Sequence, residues 1–81
     1  MLEDIASDNL IVGLRNSLKY IEAGKASKAY VAADVAPNIY EEITYACQKN
    51  NVPYIEVQSK SELGKACHID VDASVVVVKN S

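Results

Sequence analysis

The chain has 81 residues, of which 49% are apolar and 23% charged, and its formal net charge is −3. This length is near the lower limit at which one core supports a fold without disulfides, metals or partners, so we expect one domain over residues 1–81. The acidic balance excludes a strongly basic protein that coats nucleic acid nonspecifically, and the apolar content excludes a disordered segment.

Neither a membrane span nor a signal peptide is predicted. No apolar run approaches the ~20 residues that a membrane span requires. The first residues, MLEDIASDN, have neither the basic nor the apolar region of a signal peptide. Cytoplasm is therefore the expected compartment.

Hydrophobic spacing and breaker residues predict helices and strands in alternation. Leu14, Leu18 and Ile21 recur at helical spacing, and Gly24 stands where a helix C-cap glycine belongs. The segment SVVVV at 74–78 is continuously apolar and β-branched, which predicts a central strand. After a short N-terminal helical turn, the predicted elements are an edge strand at 10–12, a helix from 14 to 24, a strand at 29–33, a helix at 37–50, a strand at 52–57, a helix at 59–69 and a strand at 74–78.

This order of elements predicts the fold class. Strands that alternate with helices are typical of βαβ units, in which helices cover both faces of a largely parallel sheet. We therefore expect an α/β fold, a three-layer α/β/α sandwich with a small, mostly parallel mixed sheet. Gly64 weakens the third long helix by about 1 kcal/mol relative to alanine and indicates a close backbone approach.

The two cysteines and the single histidine do not form a metal-binding pattern. Cys47 and Cys67 fall within predicted helices and have no CxxC partner, so they are interpreted as small buried core residues. His68 adjoins Cys67, but neighbouring residues on a helix point in different directions and do not readily share one zinc ion. No metal and no cofactor is expected.

Motifs that carry catalysis are also missing. The chain has no GxGxxG, GxxxxGK[ST], HExxH or GxSxG segment, and its carboxylates have no spacing typical of general acid–base work. Glu41 and Glu42 are interpreted as a solvated helix surface. The chain is therefore not expected to be an enzyme.

Three segments carry a pattern in chain order: GLRNSLK at 13–19, VAADVAP at 31–37 and VPYIEVQSKSELGKACHIDVDAS at 52–74. Together they resemble the ribosomal L-seven-Ae-like family, in particular its bacterial YbxF-type members. Residues 13–19, GLRNSLK, are similar to the family's Gly-x-Asn-Glu-x-x-Lys helix start, with Gly13 and Lys19 in agreement. Residues 31–37, VAADVAP, resemble its strand and Asp-x-x-Pro turn. Residues 52–74 resemble its Val-Pro strand, Ser-Lys-x-x-Leu-Gly helix and terminal loop.

The resemblance implies the same three-layer fold and recognition of kink-turn RNA, ribosomal or ribosome-associated. It places the Arg15 guanidinium and the Asn16 amide at base edges of the sheared G·A pairs, and Lys19 at a phosphate. Ile69 and Val71 would rest against bases turned out at the bend. The implied RNA-binding residues are Gly13, Arg15, Asn16, Lys19, Lys28, Asp34, Lys60, Lys65, Ile69, Asp70, Val71, Asp72 and Ala73.

The same resemblance implies the partners. They are a structured RNA, with ribosomal proteins as further candidates, while neither DNA nor a membrane is expected and the chain is expected to be a monomer. The net charge of −3 leaves room for a local basic face, because Arg15 and four lysines lie in or beside these segments whereas Glu41 and Glu42 lie on another helix.

Two departures from the family pattern affect the expected binding. Arg15 stands at the family's asparagine position and Asn16 at its glutamate position, which changes the donors and acceptors that face the bases. Asp72 adds a carboxylate near phosphates, so weaker and strongly salt-dependent binding is expected. The alternative is a protein-interaction module that retains the fold with weakened or lost RNA binding and uses a helix face or an exposed strand edge.

Overall fold

The structure is a computed structural model that describes residues 10–67 and 72–79. The predicted short N-terminal helical turn lies outside the described residues. Four strands and three helices alternate along the described chain. They are β1 (Leu10–Val12), α1 (Leu14–Glu22), β2 (Ala26–Ala32), α2 (Pro37–Lys49), β3 (Tyr54–Val57), α3 (Lys60–Ala66) and β4 (Val75–Lys79).

The four strands form one mixed sheet in the order β1-β4-β2-β3. The valine-rich strand β4 lies between β1 and β2, which confirms its predicted central position. The expectation that the sheet is mostly parallel is wrong for the strand pairs: β2 and β3 pair in parallel, whereas β4 is antiparallel to both of its neighbours. Continuous apolar sequence reports burial on both faces of a strand, but it carries no information on the strand's direction.

Helices cover both faces of the sheet, which confirms the three-layer α/β/α arrangement. Because successive side chains of a strand point to opposite faces, Ala29 and Val31 of β2 pack on the α1 and α2 side, whereas Tyr30 and Ala32 pack on the α3 side. Ile43 of α2 is fully buried in the first of these two core clusters. Leu63 of α3 is fully buried in the second.

The cysteines belong to the core, as predicted. Cys47 packs in the cluster under α1 and α2, and Cys67 packs in the cluster under α3, so the sheet separates them. Burial raises the pKa of the Cys47 thiol to about 11, which keeps it in the unreactive neutral form at neutral pH. Among the described residues, no group of three or more histidine, cysteine, aspartate or glutamate side chains is arranged to hold a metal ion. His68 lies outside the described residues.

The predicted ends of several elements differ from the observed ones. Strand β2 begins at Ala26, three residues before the predicted start, because its first residues pair with β4 across a register shift between Ala26 and Lys28. Strand β3 begins only at Tyr54, since the turn before it holds Asn51 in a left-handed conformation with φ 59°. No described helix is long and apolar enough to cross a membrane.

The hydroxyl of Tyr30 is a buried polar group without a hydrogen-bond partner in the described part of the chain. The side chain is fully buried on the α3 side of the sheet. A buried hydroxyl that has lost its water and gained no partner destabilises the folded state.

We expect Tyr30→Phe to leave the free energy of unfolding unchanged or to raise it by about 1 kcal/mol, because the ring is kept and only the unsatisfied hydroxyl is removed. Urea denaturation measures the change. Tyr40→Phe is the matched control, since the Tyr40 hydroxyl donates to the Glu56 carboxylate at 2.9 Å and this bond would be lost. A clear destabilisation by Tyr30→Phe would contradict the expectation.

Candidate nucleic-acid interface

The ends of the strands bring four segments together at one edge of the sheet. Strands β1, β2 and β3 run in the same direction and β4 runs in the opposite one. The segments that follow the first three strands and the segment that precedes β4 therefore meet. We call this the loop edge, and it comprises Gly13, residues 33–36, residues 58–59 and residues 72–74.

Backbone hydrogen bonds hold the loop edge together. The Gly13 N–H donates to the Val75 carbonyl at 3.1 Å, which joins the start of α1 to the start of β4. The Ala32 N–H donates to the Ser74 carbonyl at 2.9 Å, and the Ala33 N–H donates to the Val57 carbonyl at 2.7 Å. Segments that are distant in sequence are thus fixed relative to one another.

Helix α1 begins at the loop edge with an open N-terminus. Gly13 is its N-cap, with φ 107° and ψ 153°, and no side chain caps the first turn. A φ of this sign is disfavoured for residues with a Cβ, which explains the glycine. The first N–H groups of a helix have no acceptor within the helix, and they mark the positive end of its dipole. This end of α1 therefore has the electrostatics that attract an anion.

The polar side chains of the first turns of α1 point into solvent. Arg15, Asn16 and Lys19 are all exposed, and Lys19 lies one turn after the other two, so the three share one side of the helix. No side-chain hydrogen bond or ion pair joins any of them to another residue within 10–67 and 72–79. Their donors are thus available to a ligand.

The opposite side of α1 fixes this orientation. Ile21 is fully buried, and Leu14 and Leu18 pack against the same core cluster. Ser17, also fully buried, donates its hydroxyl proton to the Ile11 carbonyl at 3.3 Å and ties α1 to β1. The sequence reading missed Ser17, although a polar residue on the apolar stripe of a helix is a usable signal.

The other two helix N-termini at the loop edge are unsuited to a phosphate. At α3, the Ser59 hydroxyl accepts from the Glu62 N–H at 3.1 Å, and the Asp34 carboxylate accepts from the Lys60 N–H at 2.9 Å. At α2, no side chain caps the first turn either, but Pro37 at its first position has no N–H to donate, and Glu41 and Glu56 line the adjoining open cleft of about 340 Å³. Acidic groups thus occupy or flank both ends.

Asp34 therefore has an intramolecular role. Its carboxylate links the turn after β2 to the start of α3, and a negative charge at this place also complements the helix dipole. The family resemblance predicts Asp34 among the RNA-binding residues. The sequence could not show this contact, because Asp34 and Lys60 are distant in the chain and meet only through the pairing of β2 with β3.

The terminal loop is described only at its C-terminal part. Ile69, Asp70 and Val71 lie outside the described residues. Asp72 is exposed, whereas Ala73 is only 2% exposed and packs in the core cluster under α3. The Ala73 N–H donates to the Lys60 carbonyl at 3.1 Å, so this residue anchors the loop and presents no side chain to a ligand.

The three other lysines of the predicted site are not grouped with α1. Lys60 is half-buried at the first position of α3, and Lys65 is exposed in the last turn of that helix, across the sheet from α1. Lys28 lies opposite Val78 of β4, five residues before the loop edge begins at residue 33, and thus roughly 16 Å from that edge. Its ammonium lies 5.9 Å from the centre of the Tyr30 ring.

The fold and the N-terminus of α1 define a class of small α/β domains with an uncapped helix end at one edge of the sheet. Residues 4–81 match the model of the ribosomal protein L7Ae/L30e/S12e/Gadd45 family. The chain belongs to this family, which is non-enzymatic.

Relatives and a solved structure support the assignment. The chain is 34% identical to the RNA-binding protein GK0100 of Geobacillus kaustophilus over 74 residues, which cover 91% of this chain and 90% of that protein. It is 32% identical to the RNA-binding protein YbxF of Geobacillus stearothermophilus over the same shares of the two chains. The structure of the Giardia lamblia 15.5kD RNA binding protein superposes with a TM-score of 0.87 and 32% identity, over 99% of this chain and 68% of that one.

Proposed function

We propose that this protein binds RNA at a kink-turn, through the N-terminal end of α1 and the adjoining terminal loop. The observation that carries the proposal is the group of exposed donors on Arg15, Asn16 and Lys19 beside an uncapped helix N-terminus. The two other helix ends at the loop edge are occupied or flanked by carboxylates, so α1 is the end that suits a phosphate backbone.

Each side chain suits a different part of the RNA. The guanidinium of Arg15 offers a planar fork of donors that pairs with two acceptors on a base edge, and the Asn16 amide offers both a donor and an acceptor. These two side chains read the sheared G·A pairs at the kink. Lys19, one turn further along the helix, neutralises a phosphate, which positions the protein without reading sequence.

The terminal loop completes the interface in this proposal. Gly13 bonds directly to Val75, so the loop before β4 lies beside the start of α1. By resemblance, Ile69 and Val71 contact bases that the bend turns out, and Asp70 and Asp72 bring carboxylates close to phosphates. Repulsion from the exposed Asp72 makes the binding sensitive to salt.

The relatives' names support an RNA ligand, since the two bacterial proteins and the Giardia protein are all called RNA-binding. We further propose that the target is ribosomal or another structured RNA in the cytoplasm, where ribosomal proteins are the candidate neighbours. The RNA's own bend supplies the specificity, because the short α1 reaches only a few nucleotides.

The test is a titration of the purified protein into a labelled kink-turn RNA and into a straight duplex of equal length, at about 50 and about 200 mM salt. We expect preferential binding to the kinked RNA, a loss of affinity at the higher salt, and weaker binding by Lys19→Ala. Lys49→Ala is the matched control, because Lys49 is also an exposed lysine in the last turns of a helix. Equal binding of the two RNAs at both salt concentrations would overturn the proposal.

A protein-interaction module is the second candidate, and the free edge of β3 favours it. Among the described strands, β3 pairs only with β2, so its outer edge is open. Ile55 on this strand is 39% exposed and Tyr45 on α2 is 66% exposed. An open strand edge with an exposed apolar side chain such as Ile55 is a surface to which an extended peptide can add a strand. Loss of kink preference in the titration would favour this candidate.

A further inference from the structure

A small basic cleft lies at the C-terminal end of α1, away from the N-terminal donors. It has a volume of about 170 Å³ and is lined by Lys19, Tyr20, Ala23 and Lys25. Both lysines are exposed, and no carboxylate is among the lining residues. Two positive charges that share one cleft repel each other unless an anion lies between them.

The end of α1 holds Lys25 in this position. The Gly24 N–H donates to the Ile21 carbonyl at 3.1 Å, and the Lys25 N–H donates back to the Tyr20 carbonyl at 2.9 Å. Together they form a Schellman motif, and Gly24 supplies the left-handed residue that it requires, with φ 73°. The chain therefore turns back on the helix, and Lys25 is brought beside its last turn instead of following the helix axis.

Lys19 belongs to both surfaces. It shares one side of α1 with Arg15 and Asn16, and it also lines the cleft with Lys25. Arg15, Lys19 and Lys25 thus form a continuous row of positive charge along the helix. The eight-residue interval from Arg15 to Ala23 spans about 12 Å, which corresponds to on the order of three or four nucleotides of a helical strand.

Within the described residues, the cleft has no acidic partner on its own helix. Glu22 lies on the same helix, three residues after Lys19, but it does not line the cleft. No ion pair joins Glu22 to either lysine in the described part of the chain. The helix C-terminus carries a partial negative charge of about half an elementary charge, which favours a nearby lysine. This charge is too small to neutralise two ammonium groups.

We propose that the cleft of Lys19, Tyr20 and Lys25 binds a backbone phosphate of the stem that flanks the kink, so that the RNA interface extends along the whole of α1. This inference rests on the proposed function. It adds a contact to the RNA backbone that depends on charge and shape and not on base sequence. It also assigns Lys25, which lies outside the motif at residues 13–19, to the binding surface. The Schellman motif at Gly24 is the device that places it there.

The experiment compares wild type, Lys25→Gln, Lys25→Arg and Lys49→Gln with the labelled kink-turn RNA over a series of salt concentrations. Each neutralised phosphate contributes about 0.9 to the slope of log affinity against log salt. We expect Lys25→Gln to lower this slope by about 1 and to bind several-fold more weakly at about 50 mM salt. The gap to wild type should narrow by about 3.5-fold when salt rises fourfold. Lys25→Arg should restore the slope, and Lys49→Gln should behave as wild type.

The outcomes separate the two proposals. If Lys25→Gln keeps the slope and affinity of wild type while Lys19→Ala binds weakly, the cleft makes no contact and the proposed function stands without it. If Lys25→Gln weakens binding with an unchanged slope and a lower melting temperature, Lys25 acts on the helix end alone, and the inference is overturned. If wild type shows no preference for the kinked RNA, both proposals fail.

Discussion

Replacement of Arg15 by alanine is expected to lower the affinity for kink-turn RNA by about 5- to 150-fold, with no change in the melting temperature. The side chain is exposed, and no described residue bonds to it, so its loss removes nothing from the fold. A two-pronged contact to a base edge contributes about 1–3 kcal/mol of discrimination, which corresponds to this range. Fluorescence anisotropy with the labelled RNA measures the loss.

The matched control is Arg15→Lys, which keeps the charge and removes the planar fork. We expect it to retain the salt dependence of wild type and to lose most of the preference for RNA with sheared G·A pairs over RNA in which these are replaced by Watson–Crick pairs. A result in which both variants keep the wild-type preference would assign base reading to other residues of the loop edge. Asn16→Ala would then be the next variant to measure.

Replacement of Leu63 by alanine is expected to have the largest effect on stability, about 2–5 kcal/mol of the free energy of unfolding. Leu63 is fully buried in the cluster under α3, to which α2 adds only the partly buried side chains of Ile39 and Tyr40. A chain of this size has a total stability of roughly 4–12 kcal/mol, so the variant is close to unfolding at moderate temperature. Thermal and urea denaturation measure the change.

Two control variants accompany this prediction. Leu63→Met keeps the volume of the side chain and should cost less than about 1.5 kcal/mol. Ile55→Ala removes an apolar side chain that is 39% exposed, and it should cost clearly less than Leu63→Ala. Equal effects of Leu63→Ala and Ile55→Ala would show that the α3 side of the sheet contributes little to the core.

The Leu63 variant also links stability to the loop edge. The Lys60 N–H, at the start of α3, donates to the Asp34 carboxylate, and the Lys60 carbonyl accepts from the Ala73 N–H. A displaced α3 would therefore release both the turn after β2 and the segment before β4. At temperatures where Leu63→Ala is still folded, its RNA affinity should fall less than that of Arg15→Ala. The reason is that α1 packs on the opposite side of the sheet from Leu63.

Local patterns in the sequence were sufficient for the order of the elements and for the buried side of α1. The spacing of Leu14, Leu18 and Ile21 follows the helical period, so it records which side of α1 is buried before any contact is known. Gly13 and Gly24 bracket this helix because both positions require a positive φ. The exposure of Arg15, Asn16 and Lys19 follows from the same period.

Contacts between distant segments could not be predicted in this way. The burial of Ala73 depends on its bond to Lys60, and the role of Asp34 depends on the parallel pairing of β2 with β3. Neither is visible in the residue type, because alanine and aspartate occur in core, cap and surface positions alike. The chain's resemblance to the family places Lys28 at the interface. Only the strand register shows how far Lys28 lies from the loop edge.

The sequence by itself determined the order of helices and strands and the three layers, because hydrophobic period and breaker residues are local properties of the chain. The direction of β4, the internal use of Asp34 and the meeting of Lys19 with Lys25 were decided only by the tertiary structure. Strand direction and the proximity of charges depend on how the chain returns to the sheet, and burial patterns do not record that path.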